Sequence, residues 1–236
     1  MNQKDKSFPW GWWGFGLSGY RPCNQTYCWF PYDSLPALPY KGFQGDFTWL
    51  PPIEPHLIPI MERFWPPYDR QRSSVENLNK LLAAVKEKGI SLPKPFLAFM
   101  SNLDLQKRIP SCTACYFELY DRVMPCPVHK DNLVIRFLDD QQSVFTWYLY
   151  LTSHGEHCVV VSRSIFDFLT EYEQQFTEEV RAEVLRDTFV CAPSFEEFLY
   201  RFWLENSIEF TLMEGHRELK EIEQDYLSHY ATQKSG

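Results

Sequence analysis

The sequence predicts an α+β fold in which helices flank an antiparallel sheet of three to five strands, preceded by an irregular arm. Alternating apolar segments joined by hairpin-length links lie in the middle of the chain, and segments with helical apolar spacing lie on both sides of them. The first 70 residues contain six of the eight tryptophans and eleven of the 17 prolines. These observations divide the chain into an arm over residues 1–72 and an α+β domain over residues 73–236.

The composition excludes several classes of protein. With 236 residues, of which 44% are hydrophobic and 17% aromatic, the chain can bury a full core and is not a disordered protein. The formal charge of −8 disfavours direct binding to nucleic acid. The acidic surplus lies near the C-terminus, where residues 167–236 contain sixteen acidic and six basic side chains.

The first residues and the cysteines favour a cytoplasmic protein with reduced thiols. Proline and glycine interrupt the apolar residues that follow residues 1–6, so no secretory signal is predicted. No segment reaches the roughly 18–20 apolar residues that a membrane span requires, so no membrane contact is expected. Seven cysteines at irregular spacing do not resemble a secreted disulfide framework.

The arm shows no sustained helical or strand period. Its prolines break helices and remove the donors that a sheet needs, yet its tryptophans and phenylalanines make it too apolar for a free linker. We therefore expect an irregular segment packed over the domain. The alternative is an aromatic surface that binds carbohydrate or peptide.

Helical spacing precedes the predicted sheet. Ser74 can cap a helix that buries one apolar face and ends at Gly89. Leu92 and Pro93 then open a short helix. We expect both helices to pack against the sheet.

Three strands at residues 132–138, 143–151 and 156–162 are predicted to form an antiparallel meander, because the links between them are of hairpin length. Residues 115–120 are a candidate further edge strand. The second strand places four apolar side chains on one face: Phe145, Trp147, Leu149 and Leu151. Tyr148 and Tyr150 alternate onto the opposite face, where we expect exposure.

The C-terminal part is predicted to be helical. Helices can begin at Ser164 and Thr177, and a capping box joins Ser194 to Glu197. The helix that follows has a complete amphipathic stripe, formed by Phe195, Phe198, Leu199, Phe202 and Trp203. A last acidic helix is predicted over residues 214–230.

Four residues have the spacing of a zinc site. Cys112, Cys115, Cys126 and His129 form two pairs separated by ten residues, which could provide a tetrahedral Cys₃His set. The alternative is that these are ordinary half-buried thiols. No other cofactor is predicted.

Catalytic patterns are weak. The phosphate-binding and nucleophile-elbow glycine motifs are absent. A catalytic Cys–His dyad is a further alternative, because three histidines lie close in the sequence to Cys126 and Cys158: His129, His154 and His157. No third group that would orient the histidine is apparent. Neighbouring Asp139 and Asp140 are expected to form a solvated hairpin turn.

The order of motifs between residues 75 and about 206 resembles the SUKH superfamily of Smi/Knr-like proteins. Residues 92–102, LPKPFLAFMSN, are similar to the second helix of that family. Residues 147–151, WYLYL, resemble its aromatic central strand, and Gly155 lies in the turn that follows. Residues 194–199 resemble its closing helix.

This resemblance implies a non-enzymatic protein-binding module, similar to immunity proteins that neutralise a cognate toxin. An acidic face suits a basic toxin domain. The expected partner-binding residues are Tyr148, Tyr150, Asp139, Asp140, Glu218, Glu221 and Asp225. The alternatives are a zinc-stabilised adaptor and an enzyme with an unrecognised Cys–His site; the oligomeric state is not predicted.

Overall fold

An antiparallel sheet forms the centre of the computed structural model, which describes residues 8–40, 42–63, 68–171 and 177–233. The strands are β1 (Gly11–Gly14), β2 (Cys28–Pro31), β3 (Tyr116–Phe117), β4 (Met124–Pro125), β5 (Leu133–Asp139), β6 (Thr146–Leu151), β7 (His157–Ser162) and β8 (Thr188–Ala192). The main sheet has the order β3-β5-β6-β7-β8, with β4 also paired to β5, and β1 pairs separately with β2. The predicted α+β class with an antiparallel sheet is confirmed.

The predicted meander is confirmed by the antiparallel ladders of β5 with β6 and of β6 with β7. The predicted edge strand forms as the two-residue β3. Strand β8 was not predicted, because it follows directly on a helix without a turn signal between them. It pairs with β7, where Val190 lies opposite Val160.

The helices cover both faces of this sheet. They are α1 (Ile58–Met61), α2 (Tyr68–Glu87), α3 (Lys94–Met100), α4 (Leu103–Gln106), α5 (Phe166–Glu171), α6 (Glu178–Asp187), α7 (Phe195–Glu214) and α8 (Glu221–Gln233). No helix among the described residues is long and apolar enough to cross a membrane.

Helix boundaries follow the predicted signals only in part. Gly89 ends the first long helix with a φ of 70°, as predicted, but that helix begins at Tyr68. Ser74 therefore lies inside it and is not its cap, although the side chain of Ser74 is outside the described residues. The predicted boundary between residues 72 and 73 also falls within this helix.

Helix α7 begins as predicted, because Ser194 Oγ accepts from Glu197 N–H at 3.2 Å. Its predicted apolar stripe is buried. The final helix begins at Glu221 rather than at residue 214, since α7 extends to Glu214 and Gly215 caps it in the left-handed region.

The two faces of the sheet contact two separate clusters of buried residues. Trp147 and Leu149 pack with α7, α3 and the arm. Tyr148 and Val160 pack on the opposite face with residues of α5 and α6, among them Phe166. Because helices cover both faces, the central strands β5 and β6 are buried along their whole length.

The arm extends the main sheet at its β8 edge. Val190 N–H donates to Pro9 O at 2.9 Å, and Trp10 forms an isolated parallel bridge with Val190. An edge strand with unpaired backbone groups is a site of unwanted pairing, so this contact protects it. Cys23 and Cys28 form a disulfide within the arm, with Cα atoms 5.6 Å apart, which corrects the expectation of reduced thiols for this pair.

Candidate functional site

The predicted aromatic anchors are internal. Tyr148 is fully buried, its ring stacks on Phe166 at 4.4 Å, and its hydroxyl accepts from the Phe166 N–H at 2.9 Å. Tyr150 is 2% exposed and its hydroxyl accepts from the Asn132 side-chain amide. Their predicted exposure is wrong because α5 and α6 cover the second face of the sheet.

The predicted hairpin acids are also buried, each with 2% exposure. Asp139 forms a 2.7 Å ion pair with Arg136. Burial raises the pKa of Asp139 to about 6, although Arg136 opposes this shift. Asp140 accepts from the Tyr27 hydroxyl at 2.8 Å and from backbone N–H groups of its own turn. These carboxylates therefore hold the hairpin and the arm in place and are not a solvated contact surface.

The predicted acidic residues at the start of α8 are exposed. Glu218, Glu221 and Asp225 all face solvent. Other members of the C-terminal acidic surplus are buried and used internally, as Glu196 and Glu205 illustrate. The exposed acidic surface is thus smaller than the charge count suggests, and its role in partner binding stays a prediction.

The predicted Cys₃His site is not formed. Cys115 belongs to the cluster on the α7 side of the sheet, whereas Cys126 belongs to the cluster on the other side. Burial raises the pKa of each of these two thiols to about 11. Cys112 lies near Asn206, whose side-chain oxygen accepts from the Cys112 N–H at 2.7 Å. The sheet therefore separates the predicted ligand pair of Cys112 and Cys115 from Cys126 and its neighbour His129.

Cys126 and His129, two members of the predicted Cys–His dyad, lie close together. Cys126 Sγ lies 4.0 Å from His129 Nδ1. Burial raises the pKa of this thiol and, together with Arg181, lowers the pKa of His129. A reactive cysteine normally has a lowered thiol pKa, so this pair lacks the feature that generates a thiolate. His154 is exposed on its hairpin, and burial raises the pKa of Cys158 to about 12.

A buried carboxylate on α7 anchors the arm. Glu205 accepts from both terminal nitrogens of Arg21, at 2.7 and 2.9 Å, from Trp12 Nε1 at 2.9 Å and from the Tyr226 hydroxyl at 2.7 Å. Desolvation acts to raise the pKa of Glu205, but the Arg21 guanidinium and these hydrogen bonds hold it below its usual value. A Cβ at Gly14 would lie 2.5 Å from an Arg21 nitrogen, so glycine is needed there.

An open groove of about 510 Å³ lies where the arm crosses α7. Its walls include Tyr32, Asp33, Pro36, Leu38, Tyr40 and Phe43 from the arm, and Glu197 and Arg201 from α7. We call this feature the arm groove. Arg201 is held at its base, donating to the Tyr226 hydroxyl at 2.8 Å and to Pro36 O at 3.1 Å. Asp33 is exposed at the edge.

A second cluster joins the arm to the end of α7. His56 Nε2 lies 3.3 Å from Glu214 Oε2, and His216 Nε2 lies 3.5 Å from the same oxygen. It is the one group of three potential metal ligands among the described residues. No local pattern predicts this cluster, because His56 is distant in the chain. The Glu–Gly–His sequence of residues 214–216 is the only local signal.

No family model, curated protein or solved structure matches this chain.

Proposed function

We propose that the protein is a non-enzymatic protein-binding module similar to the SUKH immunity proteins, and that the arm groove takes a basic segment of a toxin domain. The observation that carries this proposal is the groove itself, an aromatic and proline-lined opening with carboxylates at its edge. In this proposal the arm supplies the aromatic anchors that the sequence predicts on the central strand.

The groove has the chemistry of a peptide-binding surface. The ring of Tyr40 stacks on that of buried Tyr200, and Phe43 contacts the same ring edge-on. Both ring centroids lie 5.6 Å from that of Tyr200. Rings supported from below are suited to binding, because little side-chain entropy is lost when a partner packs on them. Tyrosine is also enriched among the residues that dominate binding energy.

The edge of the groove favours a cationic partner. Asp33 is exposed there, and Glu197 lies in the wall. Helix α8 contacts the same arm segment, since His229 Nε2 lies 3.0 Å from Ser34 O, and it carries the exposed Asp225. Carboxylates at the edge of a groove accelerate encounter with a basic segment. Arg201 at the base is already bonded to the Tyr226 hydroxyl and to Pro36 O, so the exposed charge at the edge is negative.

The test is to co-express the chain with any toxin encoded next to its gene and to measure the affinity of the complex at two salt concentrations. Asp33→Lys should weaken binding at low salt by about tenfold, because it reverses a charge at the edge of the groove. Glu183→Lys is the matched control, since Glu183 is exposed on α6 across the sheet.

An affinity that falls equally in both variants would contradict the groove as the binding site. A toxin that forms no complex with the intact chain would contradict the immunity function itself. Catalytic turnover of any substrate by the purified chain would favour the enzyme alternative.

A further inference from the structure

We propose that His56, Glu214 and His216 form a binding site for a divalent transition metal ion, with zinc as the best fit. Two imidazole nitrogens and one carboxylate oxygen lie within 4.8 Å of one another. Two histidines with one carboxylate are a ligand set that zinc accepts in proteins, with a fourth position left for water. This site shares no residue with the predicted Cys₃His set.

The distances suit one shared ion. Zinc–nitrogen and zinc–oxygen bonds of about 2.0–2.2 Å at tetrahedral angles place ligand atoms about 3.4 Å apart. Glu214 Oε2 lies 3.3 Å from His56 Nε2 and 3.5 Å from His216 Nε2. The two imidazole rings are nearly perpendicular, at 85°, with their centroids 4.7 Å apart.

The central oxygen is buried and has no hydrogen bond. Glu214 Oε2 is inaccessible to solvent, and its contacts with the two imidazoles do not have hydrogen-bond geometry. A buried carboxylate oxygen without a partner is costly. An ion bound between Glu214 and the two histidines would satisfy it.

A carboxylate lies beside His56, and the neighbouring charges are paired with one another. Glu54 Oε2 lies 3.9 Å from His56 Nδ1, on the side of the ring away from Glu214, where a carboxylate commonly supports a metal-bound histidine. The Arg217 and Lys220 cations beside the cluster are engaged by Glu54, at 2.8 and 3.3 Å. Arg217 also pairs with buried Glu223 at 2.7 Å. These carboxylates neutralise both cations, which therefore repel a bound metal ion only weakly.

The fold gives the site its shape. His56 lies in the turn Pro55–Leu57 of the arm, whereas Glu214 ends α7 and His216 follows Gly215. Gly215 has a φ of 63°, which reverses the chain and lets its two neighbours approach one point. A small cavity of about 20 Å³ lined by both histidines is large enough for one water. A bound ion would therefore link the arm to the end of α7.

The experiment uses the full chain after removal of metal with a chelator. Zinc chloride should bind with a stoichiometry of one ion per chain by calorimetry. At a zinc concentration one hundred times the dissociation constant, Tm should rise by about 5–10 °C. His56→Ala, His216→Ala and Glu214→Gln should each abolish both effects, whereas His154→Ala, at an exposed histidine away from the cluster, should leave them unchanged.

A supporting variant tests the role of Glu54 separately. Glu54→Gln keeps the shape of the side chain but removes its charge, and it should weaken zinc binding by about 10- to 100-fold. Cobalt(II) added to the intact chain should give the visible absorption of a tetrahedral site, and His56→Ala should remove it. Circular dichroism of each metal-free variant checks that it remains folded.

Two results would overturn the proposal. One is the absence of stoichiometric zinc binding by the intact chain. The other is binding that persists in folded His56→Ala and Glu214→Gln, because the ion would then be held elsewhere, for example by thiols.

Discussion

The meander of β5, β6 and β7 and the arm pack into one shared core, but different interactions hold them. The meander is built from regular backbone ladders between strands that are neighbours in the sequence. The arm has few ladders, and side-chain bonds to α7 position it: Arg21 and Trp12 bind Glu205, and Trp49 binds Glu196.

This difference shows how an irregular segment acquires one conformation. A strand finds its place through a repeated backbone pattern, which tolerates the loss of a single contact. The arm depends on a few buried charged and aromatic groups, and each of these must be fully satisfied. We therefore expect the loss of an anchor to destabilise mainly the arm, whereas the loss of a residue in the shared core destabilises the whole chain.

The largest effect is expected in the shared core. Phe198 is fully buried. The centroid of its ring lies 5.7 Å from that of Phe137 in the sheet and 6.0 Å from that of Trp12 in the arm. Phe198→Ala should lower the free energy of unfolding by about 3–5 kcal/mol, because it leaves a cavity. Urea denaturation measures this. A loss below about 0.5 kcal/mol would contradict the position of α7 in the core.

A nearly equal effect is expected from the buried ion pair of the arm. Glu205→Gln leaves Arg21 buried without a counter-charge and should cost about 3 kcal/mol. Hydrogen exchange should then increase in residues 8–40 more than in the meander. Uniform exchange over both regions would show that the arm and the sheet unfold as one unit.

The same substitution has a consequence for pH dependence. The pKa of Glu205 is held below its usual value, so its contribution to stability is fully present above that usual value and is lost as the pH falls through the lowered one. The parent chain should therefore lose more stability than Glu205→Gln between neutral and acidic pH. An equal loss of stability in the parent and the variant would show that Glu205 is not the source of the acid sensitivity.

The smallest effect is expected at the second anchor. Trp49 Nε1 donates to Glu196 Oε1 at 2.9 Å, while Gly45 N–H satisfies the other carboxylate oxygen. Trp49→Phe removes one bond but keeps an aromatic ring, so it should cost about 1–2 kcal/mol. The increase in the rate of amide hydrogen exchange should be confined to the arm. A cost above that of Glu205→Gln would reverse the ranking of the two anchors.

Local signals predicted the meander and the starts of two helices. Ser194 and Glu197 correctly marked the start of α7, and Thr177 marked that of α6, where its hydroxyl accepts from the Val180 N–H at 3.3 Å. The wrong exposure of Tyr148 and Tyr150 has a different cause. Alternation along β6 predicts that two faces exist, but it does not show that α5 and α6 cover the second face.

The amino-acid sequence by itself determined the α+β class, the meander and the main helices, because periodicity and capping depend on residues only a few positions apart. Only the tertiary structure decided where the arm lies and which polar groups meet. Arg21 and Glu205 are 184 residues apart in the chain, and His56 reaches Glu214 only because the arm crosses α7. Such pairs depend on the packing of the whole chain, so no local pattern specifies them.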